Sequence, residues 1–148
     1  MTELLDTEVV KVIVFQLGDK EYAIPVSQVQ GIEKTVFITR VPSTVHYVKG
    51  VINLRGVVTP IIDLRERFGI HSDVQGEETR IIIISYADME VGLIVDAAND
   101  VMDLPKNAIE PQPEVVGSLE EEFIAGVAKI DKRLLILLNL EKVLNTLK

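Results

Sequence analysis

The feature that most limits what this chain can become is a pattern that occurs twice. The stretch "VIVFQLGDKEYAIPV", Val12 to Val26, lies over "IIIISYADMEVGLIV", Ile81 to Val95, with Asp19 on Asp88 and Glu21 on Glu90. A second stretch, "GVINLRGVVTPIIDLRERF" from Gly50 to Phe68, lies over "GVAKIDKRLLILLNLEKVL" from Gly126 to Leu144. There Gly50 falls on Gly126, Val51 on Val127, Leu64 on Leu140 and Phe68 on Leu144. The offset is 69 residues for the first pair and 76 for the second, so it grows by only 7, and the order is the same in both halves. The chain therefore reads as two copies of one β unit, each made of two hairpins and a short closing helix.

Each segment is an aliphatic run, a turn and another aliphatic run. Gly18-Asp19, Arg55-Gly56, Ala87 to Met89 and Asp131-Lys132 supply the turns. Apolar residues make up 47% of the chain and aromatics only 5%, so the core is built from Val, Ile and Leu, which suit pleated strands. Strands spaced by about ten residues point to small barrels or a sandwich. Without long helical crossovers, a doubly wound parallel sheet is not expected. A core below about 80 residues is marginal. Two small barrels packed side by side around a shared apolar interface, with a groove at its rim, are the expected arrangement. The full 148 residues suffice for such a core without staples.

The connecting segments are less regular. "SQVQGIEK" reads as one helical turn from Ser27 that sets Val29 and Ile32 on one side. "TVFITRVP" extends until Pro42, and "STVHYV" is a short helix or turn. Pro60 marks an edge strand or a bulge, and "RERFG" is a helical turn stopped by Gly69. "IHSDVQGEET" is a polar loop. Pro105, Pro111 and Pro113 keep the stretch after Asn99 from forming long elements, and Ser118 with Glu121 reads as a capping box. "EKVLNTLK" reads as a C-terminal helix, and residues 1–8 as a flexible N-terminus.

Composition excludes several kinds of function. There is no Cys, hence no disulfide, thiolate metal site or thiol nucleophile. A net charge of −8 repels phosphate backbones and anionic membrane surfaces, so neither nucleic acid nor membrane is an expected partner. The N-terminus carries Glu3, Asp6 and Glu8 without a basic flank, unlike a signal peptide. No charge-free run approaches the roughly 20 residues of a membrane helix, so a soluble, cytoplasmic protein is expected. The two histidines, His46 and His71, lie in turn or loop with no second ligand at metal spacing. No nucleophile elbow, Walker loop or dinucleotide fingerprint is present. Glu120 to Glu122 reads as a solvated face, and Asp63, Asp96 and Asp100 as scattered turn acids. No cofactor, metal or catalytic residue is expected.

What remains is apolar surface around one cation. Arg55 stands between Leu54 and the Gly56-Val57 step, while the aligned "IDKR" of the second copy is an ordinary polar turn. An arginine fork on an apolar ledge offers planar bidentate bonds and a stem that packs. Spacing alone leaves a second reading open, a turn arginine reaching into water.

The string "YVKGVINLRGVVTPIIDLR", with "VFQLGDKEYAIPVSQVQGI", "EVGLIVDAANDVM" and "DKRLLILLNLEKVL", resembles the CheW-like adaptor family of chemotaxis from about residue 9 to 147. The resemblance implies a mainly β fold: two SH3-like five-stranded barrels around a shared core, with short helices and a C-terminal helix. As subdomains it implies hairpins 12–26 and 50–68 on one side, and 81–95 and 126–144 on the other, intertwined. It also implies non-catalytic bridging of chemoreceptor cytoplasmic tips to the regulatory domain of the histidine kinase CheA, in the cytoplasm at membrane receptor arrays. Carried over by position, a receptor-facing groove comprises Ile13, Val26, Val29, Ile32, Arg55 and Ala98. A kinase-facing surface comprises Ile38, Lys49 and Gly50. The chain departs from the pattern at Gly31, where many relatives carry an acid. Its tail ends at Lys148, as expected of the free adaptor without a receiver domain. Two other readings stay open: an adaptor of a pilus-motility array, and a generic SH3-like protein-binding module.

Overall fold

The computed structural model describes residues 8–34, 38–40, 48–69, 77–111 and 123–144. Expectations for Pro42, His46, His71, Pro113, the Ser118–Glu122 stretch and the two termini lie outside them. Eleven strands are described: β1 (Val9–Leu17), β2 (Lys20–Pro25), β3 (Val29–Lys34), β4 (Val48–Leu54), β5 (Val57–Asp63), β6 (Arg80–Tyr86), β7 (Met89–Val95), β8 (Ala97–Pro105), β9 (Ile109–Pro111), β10 (Ile124–Ile130) and β11 (Arg133–Leu138). Two single-turn helices, α1 (Leu64–Arg67) and α2 (Leu140–Val143), follow β5 and β11. All four expected hairpins form: β1–β2, β4–β5, β6–β7 and β10–β11.

The chain divides into two compact units, one running up to Ser27 and resuming at Asn99, the other from Gln28 to Ala98. The first holds a sheet of order β8-β1-β2-β11-β10-β9, the second one of order β3-β6-β7-β5-β4. This corrects the expected grouping of hairpins. Hairpin 12–26 shares its sheet with 126–144, and 50–68 shares its sheet with 81–95. The reason is visible in the pairing. Each sheet joins its two hairpins by a parallel contact, Leu135↔Glu21 to Leu137↔Ala23 in one and Ile61↔Gly92 to Asp63↔Ile94 in the other. The alignment states which hairpins are alike, and either copy satisfies that contact.

Both sheets close on themselves. In the first unit the edge strands β8 and β9 are successive in the chain, separated only by a 3-10 turn at Lys106–Ala108. Counted as one bent strand, they complete a five-stranded barrel. In the second unit Thr39, beyond the end of β3, exchanges two hydrogen bonds with Val51 on the free side of β4, 2.9 and 2.8 Å.

The repeat is present in three dimensions. Asp63 and Asn139, 76 residues apart, are the N-caps of α1 and α2, and each carboxylate or amide oxygen accepts a bond from a backbone N–H of its helix. Phe68 and Leu144 end the two helices. Gly50 and Gly126 sit at bulges in β4 and β10. A β-carbon on Gly126 would lie 2.7 Å from the Glu110 carbonyl oxygen, and one on Gly50 would overlap the Thr39 carbonyl. Both glycines admit the strand that closes their barrel.

Each barrel has its own aliphatic interior. Val12, Val14, Ala23, Leu104, Ala128 and Leu135 fill the first, and Ile52, Ile61, Ile81, Ile83 and Ile94 the second. The alternate residues of the leading hairpins are buried too: Phe15, Leu17, Tyr22 and Ile24 in one, Ile82, Ile84, Val91 and Leu93 in the other. Burial on both faces explains why these segments read as continuous apolar runs.

Candidate protein-binding surface

Val29 and Ile32 do share a face, but a different backbone puts them there. The helical turn expected from Ser27 is a 3-10 turn at Val26–Gln28, and both residues lie on β3. Three positions apart on a plain strand, they would point oppositely. A bulge between Val29 and Gly31 removes that conflict: Val29 pairs with Ile84 and Ile32 with Ile82, two positions on one face of β6. Ile32 is 42% exposed, and Val29 is half-buried.

Arg55 occupies the tip of the β4–β5 hairpin at φ 53°, followed by Gly56 at φ 84°. Two successive positive values define the primed turn that matches strand twist. The Asn53 side chain fixes this turn by accepting the Gly56 N–H at 2.9 Å. Asn or Gly would hold the first position more comfortably; a branched-out arginine there costs about 1 kcal/mol. Its side chain is exposed and has no ion pair among the described residues. Val57 and Val58 beside it are 48% and 66% exposed. A charged fork on an aliphatic ledge is thus what the structure presents.

The other expected receptor-facing residues are spread over both units. Ile13, on β1, is only 6% exposed, and Val26 is half-buried in the 3-10 turn of the same unit. Ala98 is half-buried near the start of β8, in the unit that holds Val29, Ile32 and Arg55. Ile13 therefore offers little free surface in its unit.

Ile38, Lys49 and Gly50 come together where the second barrel closes. Ile38 packs partly against the interior cluster, and its Cγ2 would touch a β-carbon on Gly50 at 2.9 Å. Gly50 itself is buried, so its task is backbone approach rather than surface contact. Lys49 is half-buried and ion-paired to Glu66 of α1. Arg40, next to Thr39, is exposed and without an ion pair among the described residues. The sequence reading missed it because nothing in "TVFITRVP" told which of its residues would remain outside.

Two ion pairs and a helix cap hold the surroundings. Arg65 of α1 donates to Asp96 beyond β7 through Nε–Oδ1 at 2.7 Å and Nη2–Oδ2 at 2.5 Å, which fastens α1 against that strand. Asp63 caps α1 with Oδ1 3.0 Å from the Arg65 N–H, and burial pushes its carboxyl above the usual range despite that bond. In the other unit Arg133 grips Glu21 at 3.0 and 2.8 Å, and this hydrogen bonding holds the Glu21 carboxyl below its ordinary value. Asp63 and Asp96, read from sequence as scattered turn acids, thus have defined structural partners. Among the described residues no group of three His, Asp or Glu is arranged to hold a metal ion, and no helix is long and apolar enough to cross a membrane.

Comparison with known proteins agrees with this architecture. The chemotaxis protein CheW of Bacillus subtilis is 50% identical over 135 residues, covering 91% of this chain and 86% of that protein. The CheW of Klebsiella aerogenes is 38% identical, covering 90% and 81%. The crystal structure of the scaffolding protein TtCheW from Thermoanaerobacter tengcongensis superposes with a TM-score of 0.86 at 37% identity, covering 92% of each chain. Residues 11–148 match the CheW-like domain family. On its sequence, its paired barrels and these relatives, the chain belongs to the CheW-like family.

Proposed function

We propose that this chain is a chemotaxis adaptor that couples chemoreceptor cytoplasmic tips to the histidine kinase CheA by non-catalytic binding. The observation that carries the reading is Arg55: a guanidinium without an ion pair among the described residues, at a conformationally costly turn position beside exposed aliphatics. Backbone strain kept at an exposed residue points to use rather than to stability. A helical partner lying on such a surface gains energy from Val29, Ile32, Val57 and Val58 and takes its register from Arg55. In the same reading Ala98 serves the receptor contact from this unit, while Ile13 and Val26 lie in the other.

Ile38, Lys49 and Gly50 mark a second surface, for the kinase's regulatory domain. There Ile38 supplies apolar contact, Gly50 shapes the strand, and Arg40, without an ion pair among the described residues, supplies the cation in place of Lys49, which Glu66 neutralises. Two separate surfaces on one chain are what a coupling protein needs. The adaptor acts in the cytoplasm, recruited to membrane receptor arrays, and needs no cofactor.

Titration calorimetry of this protein against a receptor-tip fragment and against a CheA regulatory domain tests the reading. Binding to both is expected, with Arg55→Ala weakening only the receptor interaction and Ile38→Asp only the kinase interaction. A folded protein that binds neither correctly matched partner overturns it.

A further inference from the structure

Because the two units repeat one another, each position in one has a counterpart in the other. At one end of the first barrel three charged side chains meet. Arg133 grips Glu21 through Nε–Oε1 at 3.0 Å and Nη2–Oε2 at 2.8 Å, and its Nη2 lies 3.5 Å from Asp100 Oδ2. Each of the three stands two residues from a side chain of the interior cluster, namely Leu135, Ala23 and Met102. On strands, that spacing puts all three charges on the inward face, so they close the barrel's end.

The same end of the second barrel is built differently. The offset of 69 carries Glu21 to Glu90, and the offset of 76 carries Arg133 to Val57. Lys11–Asp103 and the Lys106 N–H to Glu8 carbonyl bond set Asp100 beside Val14. The counterpart of Val14 is Ile83, which pairs with Gly31. Arginine and aspartate are thus replaced by valine and glycine, while the glutamate is kept. Glu90 is half-buried and has no ion pair among the described residues.

The strands also part there. In the first barrel the parallel ladder includes Leu135↔Glu21, whereas in the second it begins at Ile61↔Gly92, two residues beyond the counterpart pair Thr59 and Glu90. Pro60 stands where the first barrel has Ile136 and cannot donate a ladder bond. Room is left at Gly31, where a β-carbon would meet only Glu33 Oε2 at 3.8 Å. Val57 and Val58 remain largely exposed beside the gap.

We propose that this end of the second barrel is a docking site for a basic side chain of a partner protein. An arginine next to an aliphatic residue, in one peptide segment, enters over Val57 to meet Glu90 as Arg133 meets Glu21, while its aliphatic neighbour covers Val58. The charge demanded is opposite in sign to the one Arg55 reads, so the site selects a different group from the Arg55 contact although both border Val57 and Val58.

Methyl-labelled protein titrated with the dipeptide acetyl-Leu-Arg-amide tests this by NMR. Saturable shifts confined to Val57, Val58 and Met89 are expected, absent with acetyl-Leu-Gln-amide and lost in Glu90→Gln. They persist in Arg55→Ala. A second variant, Val57→Arg, supplies the guanidinium from within: it raises Tm by a few degrees, about what one added ion pair gives in a chain of this size, and it blocks the dipeptide. Adding Glu90→Gln cancels that gain. Shifts scattered over the surface, shifts that survive Glu90→Gln or depend on Arg55, or a Val57→Arg variant without Glu90-dependent stabilisation each overturn the proposal.

Discussion

Gly50 and Thr39 touch through their backbones: a β-carbon at Gly50, at φ 152°, would overlap the Thr39 carbonyl that bonds the Val51 N–H. Gly50→Ala is therefore expected to destabilise the fold by about 3 kcal/mol or more, since either the clash or the loss of barrel closure must be accepted. Gly126→Ala, with its contact at 2.7 Å, should cost about 1–3 kcal/mol. Gly31→Ala, with open space around it, is the control and should change little. Urea unfolding of the three variants gives the order directly.

Arg55 should cost stability where it stands. Replacing it by Asn produces Asn-Gly, the preferred pair for this primed turn, and should stabilise the protein by about 0.5–1 kcal/mol. The same variant should bind a receptor-tip fragment more weakly. A variant that loses stability instead would show that Arg55 makes folding contacts the account does not assign to it.

The buried cap and the arginine-held glutamate should respond to acid in opposite directions. Glu21 has a lowered folded pKa, so its contribution is present above its ordinary 4.5 and is lost as pH falls through the folded value. Asp63 has a raised folded pKa, so between its ordinary 3.8 and that value the folded state takes up the proton and stability falls as pH rises. Glu21→Gln should flatten the rise of stability with pH across this acidic range, and Asp63→Asn should steepen it. At pH 7 Asp63→Asn should be at least as stable as the parent, because Asn139 shows that an amide caps the counterpart helix α2, while Asp63→Ala should lose about 1 kcal/mol. Denaturation at several pH values measures all three.

The Arg65–Asp96 pair is two-pronged and mostly shielded, with side-chain exposures of 16% and 24%. Arg65→Lys keeps the charge but gives up the paired geometry and should lose about 1 kcal/mol. Asp96→Ala should cost more, about 1–3 kcal/mol, because it leaves the guanidinium without its acceptor. Thermal melts compare the two.

The hairpins, their turns and the closing helices were legible in the sequence because each depends on residues close together in the chain. Gly18, Gly56 and the Asp131-Lys132 step announce turns, and the match of Leu64 with Leu140 announces two helices. The exchange of hairpins between barrels was not legible, because a repeat is silent on which copy pairs with which. Nor was the bulge at Gln30, which alone aligns Val29 with Ile32. At the surface, Arg55 stood out for its aliphatic setting, but its positive φ belongs to the turn and had no separate signal. Gly50 looked like a surface residue because a glycine needed for backbone approach and one that is merely exposed read alike. Glu90 drew no notice, since its missing arginine is apparent only beside Glu21 and Arg133.

The coupling role is tested most directly by co-sedimentation. Receptor-tip fragments displayed on vesicles are mixed with a CheA regulatory domain, with and without this protein. The kinase domain is expected to pellet with the vesicles only when this protein is present, and Arg55→Ala or Ile38→Asp each weakens that recruitment. Kinase and receptor fragments that displace one another from the protein, rather than binding it together, would contradict it.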